Sequence, residues 1–187
     1  MDEEIKMYLE EAQTMMKKAL EHTANELQKI RAGKAMPGML DGITVDYYGA
    51  QTPIGQVATV TTPDARTLSI KPFEKNMIGE IEKVIINSDL GLTPSNNGES
   101  IMLNIPPLTE ERRKNLVKQV KQEIENGKVS VRNARKEIND GLRTLQKEGA
   151  SEDSVKTAED KVQEYTNTYT QKLEDLSAQK EAEIMKV

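Results

Sequence analysis

Three stretches of this sequence place apolar residues at alternating steps of three and four, the spacing that aligns side chains on one face of a helix. One stretch, residues 5–30, precedes a segment of different pattern, and the other two, residues 117–145 and 155–184, follow it. An amphipathic helix gains most of its stability when its apolar face is buried. The sequence therefore predicts a discontinuous antiparallel three-helix bundle formed by residues 1–30 and 106–187.

The intervening residues 31–105 are predicted to form a small β/α/β domain inserted into the bundle. β-branched and aromatic residues concentrate in three short runs, at 43–48, 57–61 and 67–70, as is typical of strands. Isoleucines at steps of three and four between 78 and 85 indicate a short helix. The expected fold class is therefore α+β.

Two linkers that contain Pro or Gly, residues 31–38 and 104–108, join the insert to the bundle. Two small domains share little interface, so relative motion about an elbow at these linkers is expected. Judged locally, a simple helix stop is the preferred interpretation of the first linker, and the elbow topology is what raises interest in a hinge. The candidate hinge residues are Arg31, Gly33, Pro37, Pro106 and Pro107.

A stripe of cations crosses an otherwise acidic chain. The protein has a net charge of −5, yet residues 109–150 hold 11 Lys and Arg against 7 Asp and Glu. At about 100° per residue, seven of these cations lie within about 60° of one line along the predicted second helix of the bundle. This local field suits docking of a polyanion. The basic face consists of Lys114, Lys118, Lys121, Lys128, Arg132, Arg135 and Lys136.

A solvated helix surface is the alternative interpretation of the basic face. Pairs such as Lys121–Glu125 and Glu125–Lys128 would stabilise such a surface. The sequence around residues 128–135 has no compensating acids, which favours binding of RNA. One Phe, five Tyr and no Trp do not suit a surface that stacks single-stranded bases. Contacts to phosphates and to the shape of structured RNA are expected instead.

No constellation of residues indicates an enzyme. The chain has no Cys and one His, and it contains no phosphate-binding loop, Ser-His-Asp set or metal-ligand spacing. Acidic clusters occupy predicted helix starts, where capping explains them. We therefore expect no catalysis, cofactor or metal. Neither a signal peptide nor an apolar run of about 20 residues is seen, so a cytoplasmic protein is expected.

Five blocks of sequence resemble the ribosome recycling factor family in order and spacing. They are RAGKAMP at 31–37, VDYYG at 45–49, SDLGL at 88–92, PPLTEERRK at 106–114 and VSVRNAR at 129–135. The resemblance covers essentially the whole chain and implies an L-shaped monomer with roughly the outline of a tRNA. One departure is Gly127, because family members usually carry small helix-formers such as Ala there.

The resemblance also implies a function in translation. Family members bind the large subunit of a bacterial or organellar ribosome after termination, and elongation factor G with GTP then drives the subunits apart. Their basic bundle helix contacts ribosomal RNA at positions that match Arg132 and Arg135. Lys121, Lys128 and Lys136 of the basic face and the neighbouring Arg112 and Arg113 are further candidate RNA contacts. The small domain and elbow are the family's region for engaging elongation factor G.

A helical chaperone or adaptor that grips protein clients is an alternative from another functional class. It would need exposed apolar grooves along the bundle. The apolar residues visible in the sequence are instead used by the three predicted helix seams. The ribosome-binding interpretation is therefore preferred.

Overall fold

The computed structural model describes residues 2–30 and 33–186. Three long helices, α1 (Asp2–Gln28), α4 (Glu110–Lys147) and α5 (Glu152–Met185), pack against one another in one compact unit. The second unit spans Gly33–Thr109 and holds all six strands. The predicted fold class, a three-helix bundle with an inserted β/α/β domain, is confirmed.

Apolar side chains at helical spacing form the bundle core, as the sequence predicts, with two shifts by one position. The three-and-four spacing points to Val117 and Tyr165, but the neighbouring Leu116 and Thr166 are buried instead. The Thr166 hydroxyl donates to the carbonyl of Val162 at 2.8 Å, so its burial leaves no unpaired donor. Both shifts occur because the stripe drifts around a straight helix and neighbouring residues compete to face the core.

Glycine lets the helices approach closely at Gly127. A Cβ built there would lie 2.5 Å from Thr23 Oγ1 of α1 and 3.0 Å from Leu173 Cδ2 of α5. Both distances are shorter than carbon can tolerate without movement of the neighbour. Gly127 therefore marks a close helix–helix approach that involves both partner helices at once.

The small unit is built on a four-stranded antiparallel sheet in the order β3-β4-β6-β5, with strands β3 (Ala58–Asp64), β4 (Thr67–Pro72), β5 (Pro94–Asn96) and β6 (Ile101–Asn104). Pairing of Leu68 with Leu103 and of Ile70 with Ile101 places four buried side chains at its centre. Helix α3 (Ile78–Ile86) buries Ile81 and Ile85 in the same core. This strand-and-helix core is the β/α/β insert that the pattern predicts.

A separate hairpin precedes this sheet and contains a strand that the sequence does not predict. Strand β1 (Thr44–Tyr47) pairs with β2 (Ala50–Pro53), and a single helical turn, α2 (Ile54–Val57), follows. Val57 therefore lies in α2, whereas its β-branched neighbours led us to expect it in a strand. Strand β2 carries neither alternation nor a branched apolar residue, so its sequence has no strand signal.

Tyr47 ends strand β1 and packs half-buried against the core of the small unit, and the chain turns directly after it. Tyr48 has a φ of +50° and lies in the β1–β2 turn. Both tyrosine hydroxyls donate to Glu74, each at 2.8 Å, and the rings meet edge-on with centroids 4.7 Å apart. The Glu74 carboxylate accepts from Tyr47 and holds the pKa of that phenol above its ordinary value of 10.0.

Candidate nucleic-acid interface

The basic face lies along the continuous helix α4, whose 38 residues extend about 57 Å at 1.5 Å per residue. Five of its seven cations are exposed, whereas Lys128 and Arg135 are half-buried beside α5. Neither the small domain nor α1 supplies a member. The long helix therefore presents these charges as one row, as the sequence predicts.

Ion pairs within the basic face differ from those expected. Arg132 Nη2 lies 2.7 Å from Glu125 Oε1, two helical turns away, and Lys128 reaches across to Glu174 of α5. The expected Lys121–Glu125 and Glu125–Lys128 pairs are therefore wrong, because Glu125 is engaged by Arg132 and Lys128 by α5. The expected lack of acids near residues 128–135 is also wrong, since α5 supplies one that a pattern along α4 cannot show.

Arg135 has a neutral partner. Its Nη1 donates to Gln163 Oε1 of α5 at 3.1 Å, and no ion pair of Arg135 is found within the described residues. An amide orients the guanidinium without cancelling its charge. Arg135 therefore combines a defined position with a positive charge still available to an anion.

Three exposed lysines complete the available charge of the face. Across residues 2–30 and 33–186, Lys118, Lys121 and Lys136 form no ion pair within 4.0 Å. Lys114 lies 3.3 Å from Glu110, but both side chains are largely exposed, and such pairs contribute about 0–1 kcal/mol. These lysines can meet phosphates at little cost in broken contacts.

Arg143 is a further cation of this face that the sequence prediction does not include. At 100° per residue it falls on the same line of α4, two turns beyond the last predicted member. Its Nε lies 3.1 Å from Glu159 Oε1 of α5. Continuing the same helical count past Lys136 would have found it.

Arg112 and Arg113 occupy the first turn of α4. Arg112 is exposed, whereas Arg113 is half-buried and its Nε is buried. That Nε has no hydrogen-bond partner within the described part of the chain. Leaving a buried donor unpaired costs free energy.

The candidate hinge residues fall on both linkers. Arg31 lies outside the described residues. Gly33 has a φ of +73°, and a Cβ there would lie 2.7 Å from Leu108 Cγ in the second linker. Pro37 begins a 3₁₀ turn, Pro37–Leu40, while Pro106 and Pro107 are exposed. Only glycine satisfies both the left-handed backbone and the close approach at residue 33.

The turn between β3 and β4 is hydrogen-bonded to both linkers, which the sequence did not indicate. The amide of Ala35 donates to Ala65 O, and that of Ile105 donates to Arg66 O, each at 2.8 Å. Asp64 organises this turn, because its carboxylate accepts from the amide of Arg66 at 2.8 Å and from the Thr67 hydroxyl at 3.0 Å. The Arg66 hydrogen bond, followed by that of Thr67, lowers the pKa of Asp64 below its ordinary 3.8.

Neither a metal-holding cluster nor a membrane-spanning helix is found among the described residues. Within residues 2–30 and 33–186, no group of three His, Cys, Asp or Glu side chains is placed to hold a metal ion. None of the described helices is long and apolar enough to cross a bilayer. His22 is exposed on α1.

Comparison with known proteins settles the family. Residues 23–185 match the family model for ribosome recycling factor. The chain belongs to the ribosome recycling factor family. A family member from Amoebophilus asiaticus is 55% identical over 185 residues, covering 99% of this chain and 100% of its own length.

Solved structures of the ribosome recycling factor family share this fold. A solution structure of ribosome recycling factor aligns with a TM-score of 0.75 at 37% identity, covering 98% of each chain. A second, of the Thermus thermophilus factor, aligns with a TM-score of 0.61 at 45% identity, covering 97% of this chain and 99% of the other. It is described as a model of that factor and the Escherichia coli elongation factor G bound to the post-termination complex. The family resemblance inferred from the five blocks is confirmed.

Proposed function

We propose that this member of the ribosome recycling factor family binds the post-termination ribosome and, with elongation factor G and GTP, splits it into subunits. Family membership along almost the whole chain carries this proposal. The related T. thermophilus factor, described with elongation factor G on the post-termination complex, supports the choice of both partners. Ribosomes are thereby recycled from mRNA in the cytoplasm, and the factor acts as a monomer.

The basic face of α4 is the proposed anchor on the large subunit. Arg135 and the three lysines without ion pairs offer positive charge along one exposed line. Arg132 and Lys128 add two cations whose present partners are single carboxylates. Phosphates bind such a row through charge and through planar guanidinium forks. The proposed RNA contacts are Arg112, Arg113, Lys121, Lys128, Arg132, Arg135 and Lys136.

The proposed action is mechanical. GTP is bound by elongation factor G, and this chain contributes position and rigidity without bond chemistry. The 38-residue helix α4 is a stiff element on which an anchored factor can transmit force. Elongation factor G acts on the small domain, and the two linkers serve as the hinge. The proposed hinge residues are Arg31, Gly33, Pro37, Pro106 and Pro107.

Sedimentation of post-termination ribosomes tests this function. Ribosomes carrying mRNA and deacylated tRNA are incubated with the factor, elongation factor G and GTP, and the products are separated on a sucrose gradient. Free subunits should accumulate only when all three components are present. A non-hydrolysable GTP analogue serves as the control. Intact ribosomes in the complete mixture would refute the proposed function.

A further inference from the structure

In the middle of the basic face, two carboxylates each occupy one of its cations. Glu125 is bound to Arg132 at 2.7 Å, and Glu174 is bound to Lys128. The Glu125 and Arg132 side chains are 55% and 50% exposed, and Glu174 is 49% exposed. These pairs are therefore accessible to an incoming polyanion.

The Glu125–Arg132 pair is not needed to hold the fold together. Both residues belong to α4, whose hydrogen-bonded backbone is continuous from residue 110 to 147. An ion pair between half-exposed side chains adds little to stability. Its larger effect is electrostatic, because it cancels one positive charge in the middle of the proposed RNA contact.

We propose that Glu125 and Glu174 determine the selectivity of the basic face for its structured target over other RNA. The inference rests on the proposed function. The affinity for RNA without a matching shape depends on how many protein cations displace counterions from the RNA backbone. A cation that is already paired with a carboxylate contributes little to that number. A structured RNA whose shape matches the basic face instead places a phosphate against the Arg132 guanidinium, and this phosphate replaces the Glu125 carboxylate.

Electrostatic surroundings favour reversible exchange of this kind. Lys121, Glu125, Lys128 and Glu174 line one surface groove between α4 and α5. Lys121, which has no ion pair among the residues described, lines the same groove as both carboxylates, together with the acidic Glu181. Displacement costs less when the leaving carboxylate keeps a cation within reach.

Isosteric neutral variants separate selectivity from simple affinity. Glu125→Gln is the main variant, because its partner is on the same helix, and Glu174→Gln is the second. Glu10→Gln is the matched control, since Glu10 pairs with Lys6 on α1 and its loss changes the net charge equally. Dissociation constants are measured over a salt series for isolated large ribosomal subunits and for a labelled RNA hairpin unrelated to ribosomal RNA.

The hairpin should bind Glu125→Gln about two- to fivefold more tightly than the wild type. Its salt slope should steepen by about one unit, because one more cation is free to neutralise a phosphate. Binding to large subunits should change less, so the ratio of the two affinities falls. Glu174→Gln should act in the same direction, and Glu10→Gln should leave the ratio unchanged.

A double variant tests the route through Arg132. In an Arg132→Ala background, Glu125→Gln should lose its effect on the hairpin salt slope. Equal hairpin affinities for Glu125→Gln and Glu10→Gln would overturn the inference, and so would equal tightening on both targets. If the wild type failed to bind large subunits, the proposed function would fail instead. The hairpin titration would still report whether Glu125 lowers the contribution of Arg132 to RNA binding.

Discussion

At the scale of single residues, two small features hold parts of the molecule in place. Gly127 lets α1 and α5 approach α4 where any side chain would collide with Thr23 and Leu173. Asp64 holds the β3–β4 turn to which the amides of Ala35 and Ile105 are bound. Gly127 acts through its lack of a side chain, whereas Asp64 acts by accepting hydrogen bonds.

Gly127→Ala should destabilise the bundle, although Ala is the better helix former by about 1 kcal/mol. The added Cβ would meet Thr23 Oγ1 at 2.5 Å, and overpacking a core costs about 1–3 kcal/mol. We expect a net loss of about 1 kcal/mol in urea unfolding followed by circular dichroism. Gly79→Ala, whose Cβ meets nothing within 4 Å, should not destabilise. A more stable Gly127→Ala would contradict the packing described.

Asp64 should titrate below its ordinary pKa of 3.8, because hydrogen bonds from Arg66 and Thr67 favour its charged form. A lowered pKa in the folded state stabilises the protein above 3.8, and this contribution is lost as pH falls through the folded value. Carbon-13 NMR of the carboxyl group measures the midpoint directly. In Asp64→Asn, amide exchange at Ala35 and Ile105 should quicken. A midpoint at or above 3.8 would refute this account.

At the scale of elements, the periodic parts of the chain were predictable and the turns and cross-helix contacts were not. The long helices follow from repeating apolar spacing, which averages out a shift such as Leu116 for Val117. Strand β2 was missed because it is short, polar and set off by the left-handed Tyr48. The pairing of Lys128 with Glu174 depends on how α4 and α5 align, which neither helix encodes alone.

The second linker is an element whose stiffness should matter for splitting. Proline fixes its own φ and glycine frees it, so Pro107→Gly loosens the linker without touching α4. We expect subunit splitting to slow about threefold or more, with affinity for the large subunit changed less than about twofold. Pro53→Gly, an exposed proline of strand β2, is the matched control. Equal losses of splitting and affinity would undo the hinge assignment.

At the scale of the whole molecule, the distribution of charge distinguishes this chain. The protein is acidic overall, at −5, while α4 carries the basic face. Repulsion from the acidic remainder opposes indiscriminate contact with nucleic acid, and the basic face supplies local attraction. Membership of the ribosome recycling factor family supports ribosomal RNA as the polyanion that we propose for that face.

Salt dependence of binding to isolated large ribosomal subunits tests the central claim, that the basic face of α4 anchors the factor on RNA. Arg132→Ala should bind about tenfold or more weakly, and the slope of log affinity against log salt should fall by about one unit. Lys6→Ala removes an equal charge from exposed α1 and should change neither quantity. An Arg132→Ala variant with the affinity and salt slope of the wild type would remove Arg132 from the interface and contradict the claim.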